Sequence, residues 1–220
     1  MKLNLPKQTI KQQRLIGLII AFDVVGMAGF IIPATQHIFT ALVPWNLLLM
    51  TVLIVLSHEQ AGSKFLLFLI VVCIIGFGAE WTGVHKQLIF GNYYYGQTMS
   101  WKLWDIPVIM GITWFLLIYS TGITMQWLGV RNTLLRVITG SVTLVLLDML
   151  IEPIAMRFDY WHWAGGIVPL KNYWGWLMMS VLLLFIFEAF RFKKQSMVAP
   201  VLLLMQFVFF GVLNLVPTLF

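Results

Sequence analysis

Residues 142–153 read VTLVLLDMLIEP, an apolar run that carries two acids, Asp148 and Glu152, just before Pro153. Positions four residues apart lie on one face of a helix, so these two carboxylates share a side. The rest of the run is so apolar that we expect it to cross a membrane and to end at the proline. Acids inside such a span are costly, and they therefore indicate a function.

The composition of the whole chain agrees with a membrane protein. Hydrophobic residues make up 60% and charged residues 10%, and the mean hydropathy is +0.92, whereas soluble domains carry about 25% charged residues. The formal net charge of +6 is scattered over short loops, which favours topology signals over a nucleic-acid surface. We expect an all-α, polytopic membrane helical bundle that forms a single transmembrane domain over residues 1–220.

Seven apolar stretches are long enough to cross a bilayer: residues 15–32, 38–56, 65–83, 106–126, 134–154, 173–190 and 198–216. With the N-terminus inside, most Lys and Arg residues face inward, as the positive-inside rule requires. The inner set is Lys2, Lys7, Lys11, Arg14, Lys64, Arg131, Arg136, Arg191, Lys193 and Lys194, and the outer set is Lys86, Lys102, Arg157 and Lys171. We expect a multi-pass protein of the inner (plasma) membrane.

Two long loops, residues 84–104 and 156–172, fall on the outer side in this topology. Both are rich in aromatic residues and glycine. Trp and Tyr commonly form a belt at a membrane interface, but both of these clusters directly adjoin acids inside the membrane. We therefore expect the two loops to meet in space.

Four acids are expected to converge near these loops: Glu80, Asp105, Asp148 and Glu152. Burial and a neighbouring carboxylate both favour the neutral form of an acid, so one member can stay protonated beside an ionised partner. Such a pair suits general acid and general base catalysis. Interhelical hydrogen bonding that holds the bundle together is the alternative for Asp148 and Glu152.

Other kinds of site find little support. The four histidines, His37, His58, His85 and His162, form no close pair on a helix, so we expect no metal. The glycine motifs that bind phosphate and the nucleophile elbow of hydrolases are missing. Residues 198–216 contain no lysine, which argues against a retinal photoreceptor.

The motifs around these acids resemble one known family. EWTG at 80–83, FGNYYYG at 90–96, WDIP at 104–107 and Trp114 are followed in order by LD at 147–148, EP at 152–153, YWHW at 160–163, VP at 168–169 and Asn172 with Gly175 and Trp176. Together they are similar to the membrane carotenoid biosynthesis proteins of the carotenoid 1,2-hydratase and bisanhydrobacterioruberin hydratase type.

This resemblance implies hydration of the terminal C=C of an acyclic carotenoid end group to a tertiary alcohol, without a cofactor. Asp148 and Glu152 would be the acid and base pair, and Glu80 and Asp105 would orient the substrate or exchange roles with them. The residues expected to bind substrate are Tyr93, Tyr95, Trp114, Trp161, Trp163, Asn172 and Trp176. The implied partners are the acyclic carotenoid, the lipid bilayer and other carotenoid biosynthesis enzymes, with no nucleic acid.

Two alternatives remain open. A carotenoid end-group cyclase begins with the same protonation but lets a neighbouring double bond capture the cation. The other is a non-enzymatic membrane protein that binds or transports a carotenoid. A transporter would use the same acids across the bilayer and would spread them through the membrane depth, as Asp23 and Glu188 are.

Overall fold

Seven long helices dominate the computed structural model of the protein, which describes residues 8–99 and 101–216. They are α1 (Ile10–Ile31), α2 (Pro33–Ser57), α3 (Ser63–Lys86), α4 (Ile109–Trp127), α5 (Thr133–Arg157), α6 (Leu170–Ala189) and α7 (Val198–Leu215). All seven are long and apolar enough to cross a membrane, so the predicted all-α, multi-pass bundle is confirmed. Lys2 and Lys7, which contribute to the predicted orientation, lie outside the described residues.

The helix α5 continues past Pro153 to Arg157, so the prediction that it ends at the proline is wrong. A proline removes one backbone hydrogen bond, but the next turn can stay helical when neighbouring segments support it. Here the backbone N–H of Phe158 donates to the carbonyl of Ile154 (3.0 Å), and the Arg157 guanidinium donates to the carbonyl of Leu213 in α7 (3.1 Å).

Four helices, α1, α3, α5 and α7, run toward the end of the bundle that carries both long loops. We call this the loop end. Phe30 near the end of α1 packs against Phe158 just after α5, with ring centroids 4.8 Å apart. The helices α2, α4 and α6 run in the opposite direction.

The helix α4 lies at the centre of the bundle. In the most apolar stretch of α4, 78% of the residues are buried, against 22–44% in the corresponding stretches of the other six helices. The helix α4 packs against α2, α3, α5, α6 and α7. Glycines permit this close approach, because Gly111 lies against the backbone of Cys73 and Gly122 against the ring of Phe187. The central position fixes Trp114 in the middle of the bundle.

Two short antiparallel strand pairs cover the loop end. One joins β1 (Tyr93–Tyr95) to β4 (Trp161–Trp163), and the other joins β2 (Lys102–Leu103) to β3 (Ile106–Pro107). Because β1 and β4 belong to different long loops, the prediction that these loops meet is confirmed. The N–H of Gly96 extends the contact by donating to the carbonyl of Tyr160 (2.9 Å).

A change of Gly76 to alanine is expected to destabilise the bundle. The new Cβ would lie 2.6 Å from the Cβ of Trp114, so the ring or α3 must move, and overpacking of this kind costs roughly 1–3 kcal/mol. Gly78 in the same helix has open space at its Cβ position, which makes Gly78→Ala the matched control. Thermal unfolding in detergent compares the two variants, and equal midpoints would contradict this packing.

Candidate active site

The β1 and β4 strands direct four aromatic side chains into the bundle. Side chains alternate between the two faces of a strand, and the register places Tyr93 opposite Trp163 and Tyr95 opposite Trp161. All four of these rings are buried, while the middle residue of each strand lies on the other face. The polar tips of the four rings therefore meet acids on α3 and α5.

Glu80 of α3 accepts hydrogen bonds from three side chains. Its Oε2 accepts from the hydroxyls of Tyr93 (2.6 Å) and Tyr95 (2.8 Å), and its Oε1 accepts from the indole Nε1 of Trp114 (2.8 Å). Gly83 lies one turn later on the same face, and a Cβ there would come within 2.7 Å of the Tyr93 hydroxyl oxygen. Three donors around one carboxyl group are the surroundings that suit an ionised carboxylate.

Glu152 of α5 is held in a similar way by β4. Its Oε2 accepts from the indole nitrogens of Trp163 (2.7 Å) and Trp161 (3.0 Å), and its Oε1 accepts from the Asn172 Nδ2 (3.1 Å). An indole nitrogen can only donate. Each strand of the pair thus supports one acid, since the β1 hydroxyls bind Glu80 and the β4 indoles bind Glu152.

Asp148 lies one turn before Glu152 and is fully buried. Its Oδ2 accepts a hydrogen bond of 2.7 Å from the Nδ2 of Asn172, the same nitrogen that donates to Glu152. An amide nitrogen carries two hydrogens, so Asn172 of α6 bridges the two acids. The other oxygen, Asp148 Oδ1, is buried without a hydrogen-bond partner among residues 8–99 and 101–216. This unpaired oxygen distinguishes Asp148 from Glu80 and Glu152.

Within the described part of the chain, no lysine, arginine or histidine pairs with these three acids. The ion pairs found there are His85 with Asp105, Arg136 with Glu188, and His162 with Asp159. Over the same residues, no three His, Cys, Asp or Glu side chains are arranged to hold a metal ion. The cluster therefore combines carboxyl groups with neutral hydrogen-bond donors.

A small cavity of about 20 Å³ is lined by both Glu80 and Glu152. Its other walls are aromatic rings, Met110 and the amide of Asn172. One water needs roughly 10–15 Å³ of such space and two to four polar partners. The cavity offers both, so it has room for a single water between the two acids.

A second cavity of about 430 Å³ begins beside the first and extends between α1, α2, α4 and α7. Three residues line both cavities: Met110, Trp161 and Trp176. The larger cavity is lined mainly by apolar side chains, and its size is that of a ligand pocket. It can hold an extended apolar chain with one end beside the acids.

The larger cavity opens to the outside of the bundle between α1 and α2. Four of its lining residues are 45–60% exposed: Phe22, Val25, Leu42 and Trp45. In a membrane this surface faces lipid, so an apolar molecule can enter from the bilayer without crossing water.

Asp105 does not join the other acids, so the prediction that four acids converge is corrected to three. Its side chain is 83% exposed, and its Oδ2 lies 3.6 Å from the Nε2 of His85. The physical reason is a tight turn, since Trp104 and Asp105 connect β2 to β3 with φ angles of 49° and 62°. Two positive φ values are typical of a two-residue hairpin loop, and α4 begins only at Ile109.

The seven side chains that the sequence suggested for substrate binding all lie around the acid cluster. Trp114 and Trp176 pack together with ring centroids 4.7 Å apart, beside the strand residues and Asn172 described above. Sequence reasoning missed Met110 and the wall that α1, α2 and α7 give to the larger cavity. The polar residues in those apolar helices, such as Gln206, were the signal that could have revealed that wall.

Acid pH is expected to loosen the contact between the two long loops. Asp159 Oδ2 accepts from the backbone N–H of Gln97 (2.9 Å), and its Oδ1 lies 2.7 Å from the Nε2 of His162. The hydrogen bond with His162, followed by that from Gln97, holds the pKa of Asp159 below its usual range. A lowered folded-state pKa stabilises the protein above the unfolded value of about 3.9, and this stabilisation is lost as the pH falls through the folded value.

The measurement is tryptophan fluorescence during an acid titration, because Trp161 and Trp163 lie in β4 next to this contact. Asp159→Asn should remove the change below about pH 4. Asp105→Asn, which changes an exposed acid in the hairpin turn between β2 and β3, is the control. An identical titration for wild type and Asp159→Asn would contradict this role.

Comparisons with known proteins agree with the motifs noted in the sequence. The model of a family described as "Carotenoid biosynthesis protein" matches residues 39–220, which include all three clustered acids and leave α1 outside. The bisanhydrobacterioruberin hydratase of Haloarcula japonica is 28% identical over 149 residues, which are 64% of this chain and 49% of that protein. The chain thus spans about half the length of this relative. No solved structure matches the chain. Because the family model matches most of its length, the chain belongs to the carotenoid biosynthesis protein family.

Proposed function

We propose that the protein is a carotenoid hydratase, which adds water across the terminal double bond of an acyclic carotenoid end group and produces a tertiary alcohol. Adding water moves no electrons to or from the substrate, so the reaction needs no redox cofactor. The family and the name of the Haloarcula japonica relative support this reaction class.

One structural observation carries the proposal. A space for a single water lies between Glu80 and Glu152, directly beside a large apolar cavity that opens to lipid. The reaction brings together a carotenoid end group, a proton donor and one water, and this arrangement has room for each. Met110 lines both cavities, and its flexible side chain can move to let the end group reach the acids.

The first step is transfer of a proton from Glu152 to the less substituted carbon of the double bond. The O–H bond of the acid breaks, a C–H bond forms from the alkene electron pair, and a tertiary cation remains. Asp148 and Glu152 are bridged by Asn172, and among residues 8–99 and 101–216 no lysine, arginine or histidine forms an ion pair with either acid. Two adjacent acids favour keeping one proton between them. Asp148 has the unpaired oxygen, so it holds the shared proton at rest and passes it to Glu152, which delivers it to the alkene.

The second step is capture of the cation by the water. The faces of Trp161 and Trp176, which line both cavities, can each stabilise a nearby cation by about 2 kcal/mol in a dry site. The water oxygen forms the C–O bond, and the released proton passes to Glu80. Glu80 also places a negative charge beside the cation, which lowers the energy of the transition state. The next water to enter returns that proton to the pair, so the enzyme ends unchanged.

The test is expression of the gene in a host that makes lycopene, followed by mass analysis of the pigments. Hydration adds the mass of one water for each end that reacts. A product of unchanged mass with a ring at its end would show a cyclase instead, and unaltered lycopene bound to the protein would show a carrier. Either of these results would contradict the proposal.

The same proposal includes the location of the enzyme. The distribution of Lys and Arg supports an N-terminus on the inner side of the plasma membrane, with the loop end facing outward. Other enzymes of carotenoid biosynthesis would supply the acyclic substrate through the bilayer. Fusion of a reporter to residue 8 tests the orientation.

A further inference from the structure

Asp23 in α1 is a buried acid that the proposed reaction does not use. Asp23 is 3% exposed and lines the larger cavity. Its Oδ2 is buried and has no hydrogen-bond partner in the described ranges 8–99 and 101–216. An acid that held helices together would bond to a neighbouring helix, so this oxygen lacks the partner that such a structural role requires.

A second unpaired group lies in the same cavity. Ser120 of α4 is 2% exposed, and its Oγ is also buried without a partner among the described residues. Nearly all buried polar groups in proteins are hydrogen-bonded, because an unpaired one is costly. The hydroxyl of Tyr160, which lines the same cavity, is likewise buried without a partner among the described residues. Three unpaired groups lining one apolar cavity indicate that a ligand brings a polar atom into it.

Amide side chains complete the polar part of this cavity. Gln206 of α7 and Asn46 of α2 both line it. The helices α1 and α7 run in the same direction, and a Cβ on Gly26 would lie 3.2 Å from the ring of Phe209. Asp23 lies three residues before Gly26 in α1, and Gln206 lies three residues before Phe209 in α7. Each is therefore on the same helix face as the residue that makes this contact.

The mixture of groups selects one kind of ligand atom. A carboxyl oxygen that carries no proton accepts hydrogen bonds in either charge state of the acid, and an amide nitrogen donates them. An alcohol oxygen can donate to Asp23 and accept from an amide, whereas an ether or a carbonyl oxygen cannot donate. The polar part of the cavity therefore fits a hydroxyl group.

We propose that Asp23, with Gln206 and Asn46, binds a hydroxyl group on the isoprenoid substrate at a distance from the end that is hydrated. This rests on the proposed function and adds to it that the substrate is an oxygenated acyclic isoprenoid. Asp23 lies seven residues before Phe30, which packs at the loop end, so the hydroxyl lies about 10 Å below that end, at 1.5 Å per residue.

The test uses geranylgeraniol, an acyclic isoprenoid with the required terminal double bond and an alcohol at its other end, and its methyl ether as the matched probe. Binding to the protein in nanodiscs is measured from the rise in unfolding temperature. The wild type should bind the alcohol roughly fivefold more tightly than the ether, the usual net contribution of one hydrogen bond.

Two variants locate the effect. Asp23→Leu should bind alcohol and ether equally, and Asp23→Asn should keep part of the preference. Equal binding of the two probes by the wild type, or a preference that survives in Asp23→Leu, would overturn the inference, and the wild-type result alone decides if the leucine variant does not fold. Binding requires no turnover, so loss of the alcohol preference in a protein that hydrates lycopene would refute this inference alone.

Discussion

Glu152→Gln is expected to lower hydration by about 10²- to 10⁴-fold, the usual contribution of a general acid. Glutamine has nearly the same shape and keeps an oxygen that accepts from Trp161 and Trp163, so the strand β4 should stay in place. An amide cannot transfer a proton to an alkene, and no cation forms. The carotenoid should still bind, because the larger cavity is unchanged. The measurement is turnover of lycopene in nanodiscs together with the amount of bound pigment.

Asp105→Asn is the matched control for this variant. It also replaces an acid by its amide at the loop end, but the side chain of Asp105 is 83% exposed and lies outside the cluster. Its activity should equal that of the wild type. Activity in Glu152→Gln within a few-fold of the control would remove Glu152 from the mechanism.

Glu80→Gln is expected to lower hydration by about 10²- to 10³-fold, the range seen when one stabilising group is removed from a developing charge. The amide carries no negative charge beside the cation and cannot take the proton of the water. Its nitrogen would also face the hydroxyls of Tyr93 and Tyr95 or the indole of Trp114, which donate to Glu80 in the wild type. Turnover measures the loss of catalysis, and thermal unfolding measures the loss of stability caused by the mismatched hydrogen bonds. Glu59→Gln, which changes an exposed acid, is the control.

Heavy water separates the two acids. In Glu80→Gln the cation still forms and returns to alkene, so deuterium should enter the carbon that is protonated even though little alcohol appears. In Glu152→Gln neither deuterium nor alcohol should appear. Equal deuterium exchange in both variants would contradict the assignment of Glu152 as acid and Glu80 as the partner of the water.

The sequence identified the acids because charges in apolar helices are easy to recognise. Asp148 and Glu152 share a face by their spacing alone, and the two aromatic loops could be expected to meet because alternating spans bring both to one end. The wrong position of Asp105 came from treating residues 106–108 as helix. A two-residue hairpin turn needs positive φ angles at both of its residues, which glycine adopts most readily. Neither Trp104 nor Asp105 is glycine, so WDIP at 104–107 does not indicate a turn.

Other features depend on packing over long distances, which no local pattern contains. The strand register places Tyr93 opposite Trp163. With this register the side chains of β1 donate hydrogen bonds to Glu80 and those of β4 to Glu152. A shift by one residue would turn all four rings away from the acids. The larger cavity is a space left mainly between α1, α2, α4 and α7, with further lining residues from α5 and α6. Asp23 was recognised as an acid within a span, but only the cavity and the unpaired oxygen give it a role.

The most direct test of the acid cluster is hydration of lycopene by the purified protein in water enriched in heavy oxygen. The wild type should place one heavy oxygen in the tertiary alcohol for each end that reacts, and Glu152→Gln should place almost none. A pigment that gains no oxygen from the wild type, or equal labelling by the wild type and Glu152→Gln, would contradict the account.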